Sequence, residues 1–308
     1  NNANSADPAY RIWNGTSWSS PIVITAPPTT GAPLWLELER NPLSTSNEIG
    51  MILLDANTDV YGMAWNGSSW STMGAAAVWD ASAAISTKKI IDIAYEQLSG
   101  RAMFMWGDAA ATDQYYRLWN GSTLTAAALL DIPAAGGAAA WIKLAARPNS
   151  NELLYGVEDA AADLNTRKWS GSAWDTATQH PEHDASTENI TSRNFDIIYE
   201  THAANAGKAW LVWGDGASVS AKQWSGTVWG SATALTSSDD TSFIVLHSNP
   251  ATGAVFASEY QSTASAPDDI KERHLIGGGA SWSSAAAMWA GPVLAEPVMF
   301  RVTIDTER

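Results

Sequence analysis

The stretch Trp65-Asn66-Gly67-Ser68-Ser69-Trp70 decides how this chain folds, because close copies of it recur along the whole sequence. Its pattern is W-[NS]-G-x-x-W, with glycines at 15, 67, 121, 171 and 226 and a degenerate sixth copy around Gly279. Asn-Gly is a strong hairpin signal, since both residues tolerate positive φ. Self-similarity at a steady period is the signature of a repeat architecture. The sequence therefore predicts six copies of one unit.

Each unit is expected to contain four short strands. Residues 34–39 (LWLELE) alternate apolar and polar, residues 49–54 (IGMILL) are almost entirely apolar, and residues 60–65 (VYGMAW) lead into the hairpin. Trp65 and Trp70 should face each other across that hairpin, where an aromatic pair contributes roughly 0.2–1 kcal/mol. Repeated four-stranded units are typical of propeller blades. We predict an all-β, six-bladed β-propeller with blades of about 53 residues.

Alternate units resemble each other more than neighbours do, which indicates three two-blade repeats. Residues 91–96 (IDIAYE) recur as residues 195–200 (FDIIYE). Residues 300–305 (FRVTID) align with the same first strand, and residues 1–13 align with a third strand of that class. We therefore predict a single domain, 1–308, whose closing blade combines about 1–25 with 296–308. A ring closed by both termini would leave no exposed sheet edge.

The repeated hairpin resembles the short-blade W-[NS]-G-x-x-W repeat β-propellers of secreted or cell-surface bacterial proteins. More distantly, it is similar to the propeller lectins, which carry one sugar site per blade. The resemblance covers the whole chain and implies, for the lectin relatives, an aromatic platform with a basic or polar partner. A motif made of a turn and aromatic residues specifies a fold better than a function.

A basic side chain stands two residues before the motif tryptophan in five of the six units, and Met63 replaces it in the other. Residues two apart on a strand share a face, so each cation should lie beside that tryptophan or its replacement. One interpretation is an internal cation–π contact with a salt bridge to an acid such as Glu96 or Glu200. The other is a repeated ligand site. The cations are Arg11, Arg117, Arg167, Lys222 and Arg273.

A second row of tryptophans follows the turn and should lie nearer solvent. If a tryptophan row binds carbohydrate, this row is the better candidate, and Leu124 would weaken a site in the third unit. The row consists of Trp18, Trp70, Trp174, Trp229 and Trp282.

Several classes of function are disfavoured. The net charge of −15 argues against nucleic acid as a partner, and no apolar run is long enough for membrane insertion. Residues 180–184 (HPEHD) crowd ligand-type side chains but are expected to form a solvated loop rather than a zinc site. We expect no metal and no cofactor. Neither a phosphate cradle nor a G-x-S-x-G elbow occurs, which argues against an enzyme.

The leading hypothesis is a non-catalytic module serving adhesion, structural display or assembly, for example in a filament. Abundant Ser, Thr and Asn with few lysines favour a secreted or cell-surface location. The alternative is a multivalent lectin whose weak sites add through avidity, and the third hypothesis is a glycosidase. The partners we expect are a carbohydrate or a protein surface.

Overall fold

The computed structural model of the chain consists of strands and loops. It describes residues 7–24, 31–74, 78–85, 87–109, 114–132, 136–176, 180–187, 191–216, 218–236, 241–261, 269–275, 281–284 and 286–290. Across those ranges the single helical element is a 3-10 turn, Ala203–Asn205, so the predicted all-β class is confirmed. No helix in the described residues is long and apolar enough to cross a membrane.

Twenty-one strands form six sheets in the described residues, and four of these sheets have four strands each. Consecutive strands are neighbours within every sheet, as predicted for blades. The four-stranded sheets are β3 Pro33–Arg40, β4 Ile49–Asp55, β5 Val60–Trp65 and β6 Trp70–Thr72; β7 Ile91–Tyr95, β8 Ala102–Gly107, β9 Gln114–Trp119 and β10 Ala128–Leu130; β14 Phe195–Tyr199, β15 Ala209–Asp215, β16 Ser218–Trp224 and β17 Thr233–Thr236; and β18 Thr241–Ser248, β19 Val255–Gln261, β20 Asp269–Leu275 and β21 Ala286–Ala290.

Two sheets are smaller than the predicted four strands. One contains β11 Ala139–Ala146, β12 Leu153–Asp159 and β13 Leu164–Trp169, and the other contains β1 Ala9–Tyr10 and β2 Ile22–Val23. Beyond β13, the described residues return to that sheet only through isolated bridges, Trp169 with Trp174 and Leu164 with Asp184. The predicted closing segment 296–308 lies outside the described residues, so that part of the domain prediction stays a prediction.

The tryptophan hairpins form as predicted. Trp65 pairs directly with Trp70, and their ring centroids lie 5.8 Å apart. Matching bridges join the other motif positions: Trp13 with Trp18, Trp119 with Leu124, Trp169 with Trp174, Trp224 with Trp229, and Leu275 with Trp282.

The turn chemistry differs from the expectation in one respect. Gly67 takes a positive φ of 100°, but Asn66 is not among the residues with positive φ. Instead, Asn66 Oδ1 accepts hydrogen bonds from the backbone N–H groups of Ser68 and Ser69 at 2.9 and 3.0 Å. A short polar side chain that accepts from the backbone ahead of it stabilises such a turn. This explains why Ser170 and Ser225 replace the asparagine in two copies.

The chain divides into two compact units, 1–131 with 138–142 and 132–137 with 143–308. In the first unit, Tyr95 at the end of β7 donates a hydrogen bond to Glu48 Oε1 at 2.9 Å, just before β4. In the second unit, Tyr199 at the end of β14 donates to Glu152 Oε1 at 2.7 Å, just before β12. Burial and the facing carboxylate raise the pKa of both tyrosines, so each hydroxyl stays a donor. The same tyrosine–glutamate hydrogen bond therefore joins neighbouring sheets in each unit.

Candidate functional site

Two of the predicted cations are neutralised inside the second unit. Arg273 is 1% exposed, and its Nε donates to Glu259 Oε1 at 2.6 Å, the carboxylate side chain being completely buried. Arg167 Nε lies 3.7 Å from Asp175 Oδ1, and its guanidinium also donates to the Asp175 carbonyl. For these two positions the salt-bridge part of the first interpretation is confirmed.

The acids predicted for such bridges were wrong. Glu96 accepts from Arg101, which directly precedes β8, and Glu200 accepts from Trp210 Nε1 at 3.0 Å and from Gln223 at 3.1 Å. Both glutamates directly follow the first strand of a sheet. Donors on the next strands of that sheet are therefore closer to them than a cation of another sheet.

Arg117 and Lys222 are different, because no carboxylate in the described residues lies within ion-pairing distance of either. The Arg117 guanidinium lies over the ring of Trp79, 5.3 Å from its centroid. The Lys222 ammonium lies over the ring of Trp213 at 5.5 Å. Burial lowers the pKa of both side chains, and the nearby Asp184 partly opposes that effect at Lys222. Each cation is therefore partly desolvated and rests on an aromatic face.

The sequence predicts that each cation lies beside the motif tryptophan of its own strand. In the structure, neither cation lies over that ring. Trp79 belongs to the chain that follows β6, and Trp213 lies on β15, the strand next to that of Lys222. A long basic side chain extends past its neighbour two residues along the strand, so it meets rings from adjacent strands and sheets instead.

The surroundings of the two cations correspond closely. Asp80 Oδ2 accepts from Trp106 Nε1 at 2.8 Å in the first unit, and Asp184 Oδ2 accepts from Trp213 Nε1 at 2.7 Å in the second. Trp79 and His183 precede those aspartates. We call Arg117, Trp79, Asp80 and Trp106 the Arg117 site, and Lys222, His183, Asp184 and Trp213 the Lys222 site.

Sequence reasoning missed Trp79 and Asp80, although a signal for them existed. The separation between Trp79-Asp80 and His183-Asp184 equals the separation between the matching first strands, residues 91–96 and 195–200. Tyr115, which was also missed, shares the β9 face of Arg117 and stacks on Trp106, with ring planes 17° apart and centroids 6.0 Å apart.

The outer tryptophans are mostly packed rather than open. Trp18 is 62% exposed, whereas the other four are half-buried. Trp70 packs against the cluster of Ile24, Met51 and Met63 in the first unit, and Trp282 packs edge-on against Trp210 in the second. Trp174 and Trp229 lie against their hairpin partners, with centroids 5.5 and 5.4 Å apart.

Arg11, on the segment that follows β1, is exposed. In place of a cation, β5 carries the buried Met63. The predicted cation row is thus divided between two kinds of surroundings. Arg167 and Arg273 are paired with acids, whereas Arg11, Arg117 and Lys222 have no carboxylate within ion-pairing distance in the described residues.

The expectation of a solvated loop at residues 180–184 was wrong for its histidines. His180 is 4% exposed and His183 is 8% exposed. The ring of His180 stacks on Trp224 at 4.8 Å, and His183 meets Trp229 edge-on at 4.9 Å. Aromatic packing therefore draws both imidazoles inward. In the described residues, no group of three or more histidines and acids is placed to hold a metal ion.

Comparison with known proteins concerns the fold. No protein-family model matches the chain, and no curated protein sequence matches it. Solved structures do match, among them a fungal lectin from Aleuria aurantia described as a six-bladed β-propeller that recognises fucose. It superposes with a TM-score of 0.52 at 13% identity, covering 92% of this chain and 86% of that one.

The chain has the fold of a six-bladed β-propeller. Two further lectins agree. AofleA from Arthrobotrys oligospora matches with a TM-score of 0.54 at 13% identity, covering 91% of this chain and 79% of that one. The BP39L lectin from Burkholderia pseudomallei matches with a TM-score of 0.59 at 10% identity, covering 90% of this chain and 76% of that one. At these identities the likeness shows the fold alone.

Proposed function

We propose that the chain is a non-catalytic carbohydrate-binding propeller, and that the Arg117 site is its main binding position. The observation that carries this proposal is the guanidinium of Arg117, which is half-buried against Trp79 without a carboxylate partner in the described residues. Desolvating a cation costs free energy unless hydrogen-bond acceptors replace the lost water. The hydroxyl and ring oxygens of a sugar are such acceptors.

Tyr115 supplies the second element that sugar binding needs. Its ring is half-buried, lies on the same face of β9 as Arg117, and is held parallel to Trp106. An aromatic face can stack on the apolar side of a pyranose while the terminal N–H groups of the guanidinium donate to its oxygens. In the second unit, Ser220 occupies the place of Tyr115, so we propose weaker binding at the Lys222 site.

The lectin neighbours support this function and suggest the first ligand to try. The lectin of Aleuria aurantia is described as recognising fucose and has been solved with α-methyl-L-fucoside. A fucoside is therefore the starting probe for this chain, followed by a glycan array. A lectin with a few weak sites gains strength on a multivalent surface.

We expect Arg117→Ala to weaken fucoside binding at the Arg117 site by at least about tenfold, or about 1.4 kcal/mol, because the donors are removed. Isothermal titration calorimetry gives the number of sites and their affinity. The matched control is Arg40→Ala, an exposed arginine at the end of β3, which should leave binding unchanged. An unchanged affinity in Arg117→Ala, with intact folding by circular dichroism, would contradict this assignment.

The exposed Trp18 tests the outer row separately. If this row carries the sugar instead, Trp18→Ala will reduce binding while Arg117→Ala will not. Absence of binding to every glycan would favour the second candidate function, adhesion or display through protein contacts. That candidate is supported by the exposed side chains of Ile12, Trp13 and Trp18 in the first unit.

Two further proposals concern the cellular location of the protein and the closure of its ring of sheets. We propose a secreted or cell-surface setting, which localisation of the tagged protein in its native cells would test. We also propose that the sheets form one ring of three two-blade repeats, sealed by about 1–25 and 296–308. Small-angle scattering should then fit a closed ring for the whole chain. Deletion of 296–308 should change that profile, and an unchanged profile would contradict the seal.

A further inference from the structure

A continuous chain of close polar contacts runs from Lys222 to Asp175 inside the second unit. Lys222 Nζ lies 3.3 Å from His183 Nδ1, and His183 Nε2 lies 2.7 Å from Thr166 Oγ1. Thr166 Oγ1 lies 2.9 Å from His180 Nδ1, and His180 Nε2 lies 2.7 Å from Asp175 Oδ2. A cation and a carboxylate are therefore connected through two buried imidazoles and one hydroxyl.

The positions of the protons in this chain follow from Trp229 and Lys222, because an indole N–H and an ammonium group can only donate. Trp229 Nε1 donates to His180 Nδ1 at 3.0 Å, so that nitrogen carries no proton and His180 Nε2–H faces Asp175. The Lys222 ammonium can only donate, so His183 Nδ1 is unprotonated and the neutral ring carries its proton on Nε2, which donates to Thr166 Oγ1. The Thr166 hydroxyl proton then faces His180 Nδ1, whose lone pair Thr166 and Trp229 share.

We propose that neutral His183 is a positioning residue that holds the Lys222 ammonium over Trp213, so that acidification disables the Lys222 site and spares the Arg117 site. This inference rests on the proposed carbohydrate-binding function. It adds a regulation that distinguishes the two sites within one chain.

Protonation of His183 breaks the arrangement for a geometric reason. An imidazolium carries N–H on both ring nitrogens and cannot accept from Lys222, and two cations about 3.3 Å apart repel each other. The ring is 8% exposed, so water has little access to separate the charges. The groups facing His183 are Lys222 from β16, Thr166 from β13, and His180 and Asp184 from its own segment, with Asp175 and Arg167 behind His180.

The corresponding position in the first unit is Trp79, which does not titrate. The Trp79 ring lies against Gly62 of β5, which occupies the position that Thr166 has on β13 in the second unit. The Arg117 guanidinium rests on the Trp79 indole, and no imidazole stands between them. The Arg117 site therefore has no counterpart of His183, the residue that holds Lys222 in place.

The sign of the pH effect follows from the direction of the shift. Burial, followed by the charge of Lys222, lowers the pKa of His183 well below its ordinary value. An unfolded histidine takes up its proton near pH 6.5, so below about pH 6.5 the unfolded chain binds a proton that the folded chain excludes. The equilibrium constant for folding then falls by up to about tenfold per pH unit, down to the folded pKa.

The test compares the whole chain with two variants in a pH series that runs from 7.5 downward through the titration of His183. His183→Trp combined with Thr166→Gly installs the pair found at Trp79 and Gly62, and Lys222→Met removes the cation. Three readouts are needed: the NMR titration of ¹³C-labelled histidine side chains, the urea midpoint, and the number of fucoside sites. Only the third depends on sugar binding.

We expect the native chain to lose the Lys222 site as the pH falls through the measured titration of folded His183, and to keep the Arg117 site. In Lys222→Met the His183 titration should move to higher pH, because a repelling cation is gone. In the double variant the fucoside affinities should no longer depend on pH over this range. Its urea midpoint should also fall less on acidification than that of the native chain.

Two results would overturn the inference. One is a His183 titration that is unchanged in Lys222→Met, and the other is a pH dependence of binding that persists in the folded double variant. A different pattern would reject only the proposed function. In that case no fucoside binds at pH 7.5, yet the His183 titration still responds to Lys222→Met, which supports the contact between His183 and Lys222.

Discussion

Arg273→Met is expected to destabilise the protein by about 3–5 kcal/mol, the cost of leaving a buried ion without its partner. Glu259 is completely buried, and the Arg273 guanidinium bonds it at 2.6 Å. Removing the arginine leaves a completely buried carboxylate without the guanidinium that neutralises it in the native chain. The urea midpoint at neutral pH measures the loss.

The double variant Arg273→Met with Glu259→Met separates the cost of an orphaned charge from the value of the pair. Replacing both partners of a buried pair by apolar side chains is often close to neutral, so the double variant should recover most of the stability. Lys208→Met is the control in the same unit and should change stability by less than about 0.5 kcal/mol. A small loss in Arg273→Met would show that Glu259 is solvated or already protonated.

Gly62→Ala is expected to destabilise the first unit by about 1–3 kcal/mol or more through overpacking. A Cβ at Gly62 would lie 1.9 Å from Trp79 Cη2 and 2.0 Å from Cζ2. The indole is a rigid ring packed between Phe104 and Trp106, so it cannot move aside without disturbing them. Since Arg117 rests on that ring, the same change should weaken sugar binding.

Gly230→Ala is the matched control for this substitution. Its added Cβ would lie 3.5 Å from the Gln223 carbonyl, an ordinary contact, and its φ is not positive. We expect a stability change within about 0.5 kcal/mol. Urea unfolding followed by tryptophan fluorescence compares the two variants, and equal midpoints would refute close packing of Trp79 against Gly62.

The distribution of the cations limits how many sites the proposed carbohydrate binding could use. Arg167 and Arg273 are paired with Asp175 and Glu259, and Met63 stands in the corresponding place of β5. The positions left for the proposed binding are those of Arg11, Arg117 and Lys222. A lectin with fewer sites depends more strongly on the spacing of sugars on its target.

The repeated hairpins could be predicted because their causes are local. A glycine with positive φ, a side-chain acceptor that caps the turn, and facing tryptophans all lie within six residues. The alternation of similar units was also visible, since Tyr95 and Tyr199 occupy matching places and make matching contacts with Glu48 and Glu152.

The role of each cation could not be read in the same way. Arg273 and Arg117 occupy the same place before their motif positions, yet one is buried against Glu259 and the other rests on Trp79, 38 residues earlier in the chain. Likewise, residues 180–184 read as a polar loop, whereas Trp224 and Trp229 cover their histidines.

The sequence by itself thus determined the period, the hairpins and the all-β class, because turn chemistry and alternation act between neighbours along the chain. Only the tertiary structure decided which charges are neutralised and which remain available. Burial and ion pairing depend on the side chains that neighbouring strands and sheets bring within a few ångströms. The Arg117 and Lys222 sites differ for that reason, since one has an indole and the other an imidazole at the same place.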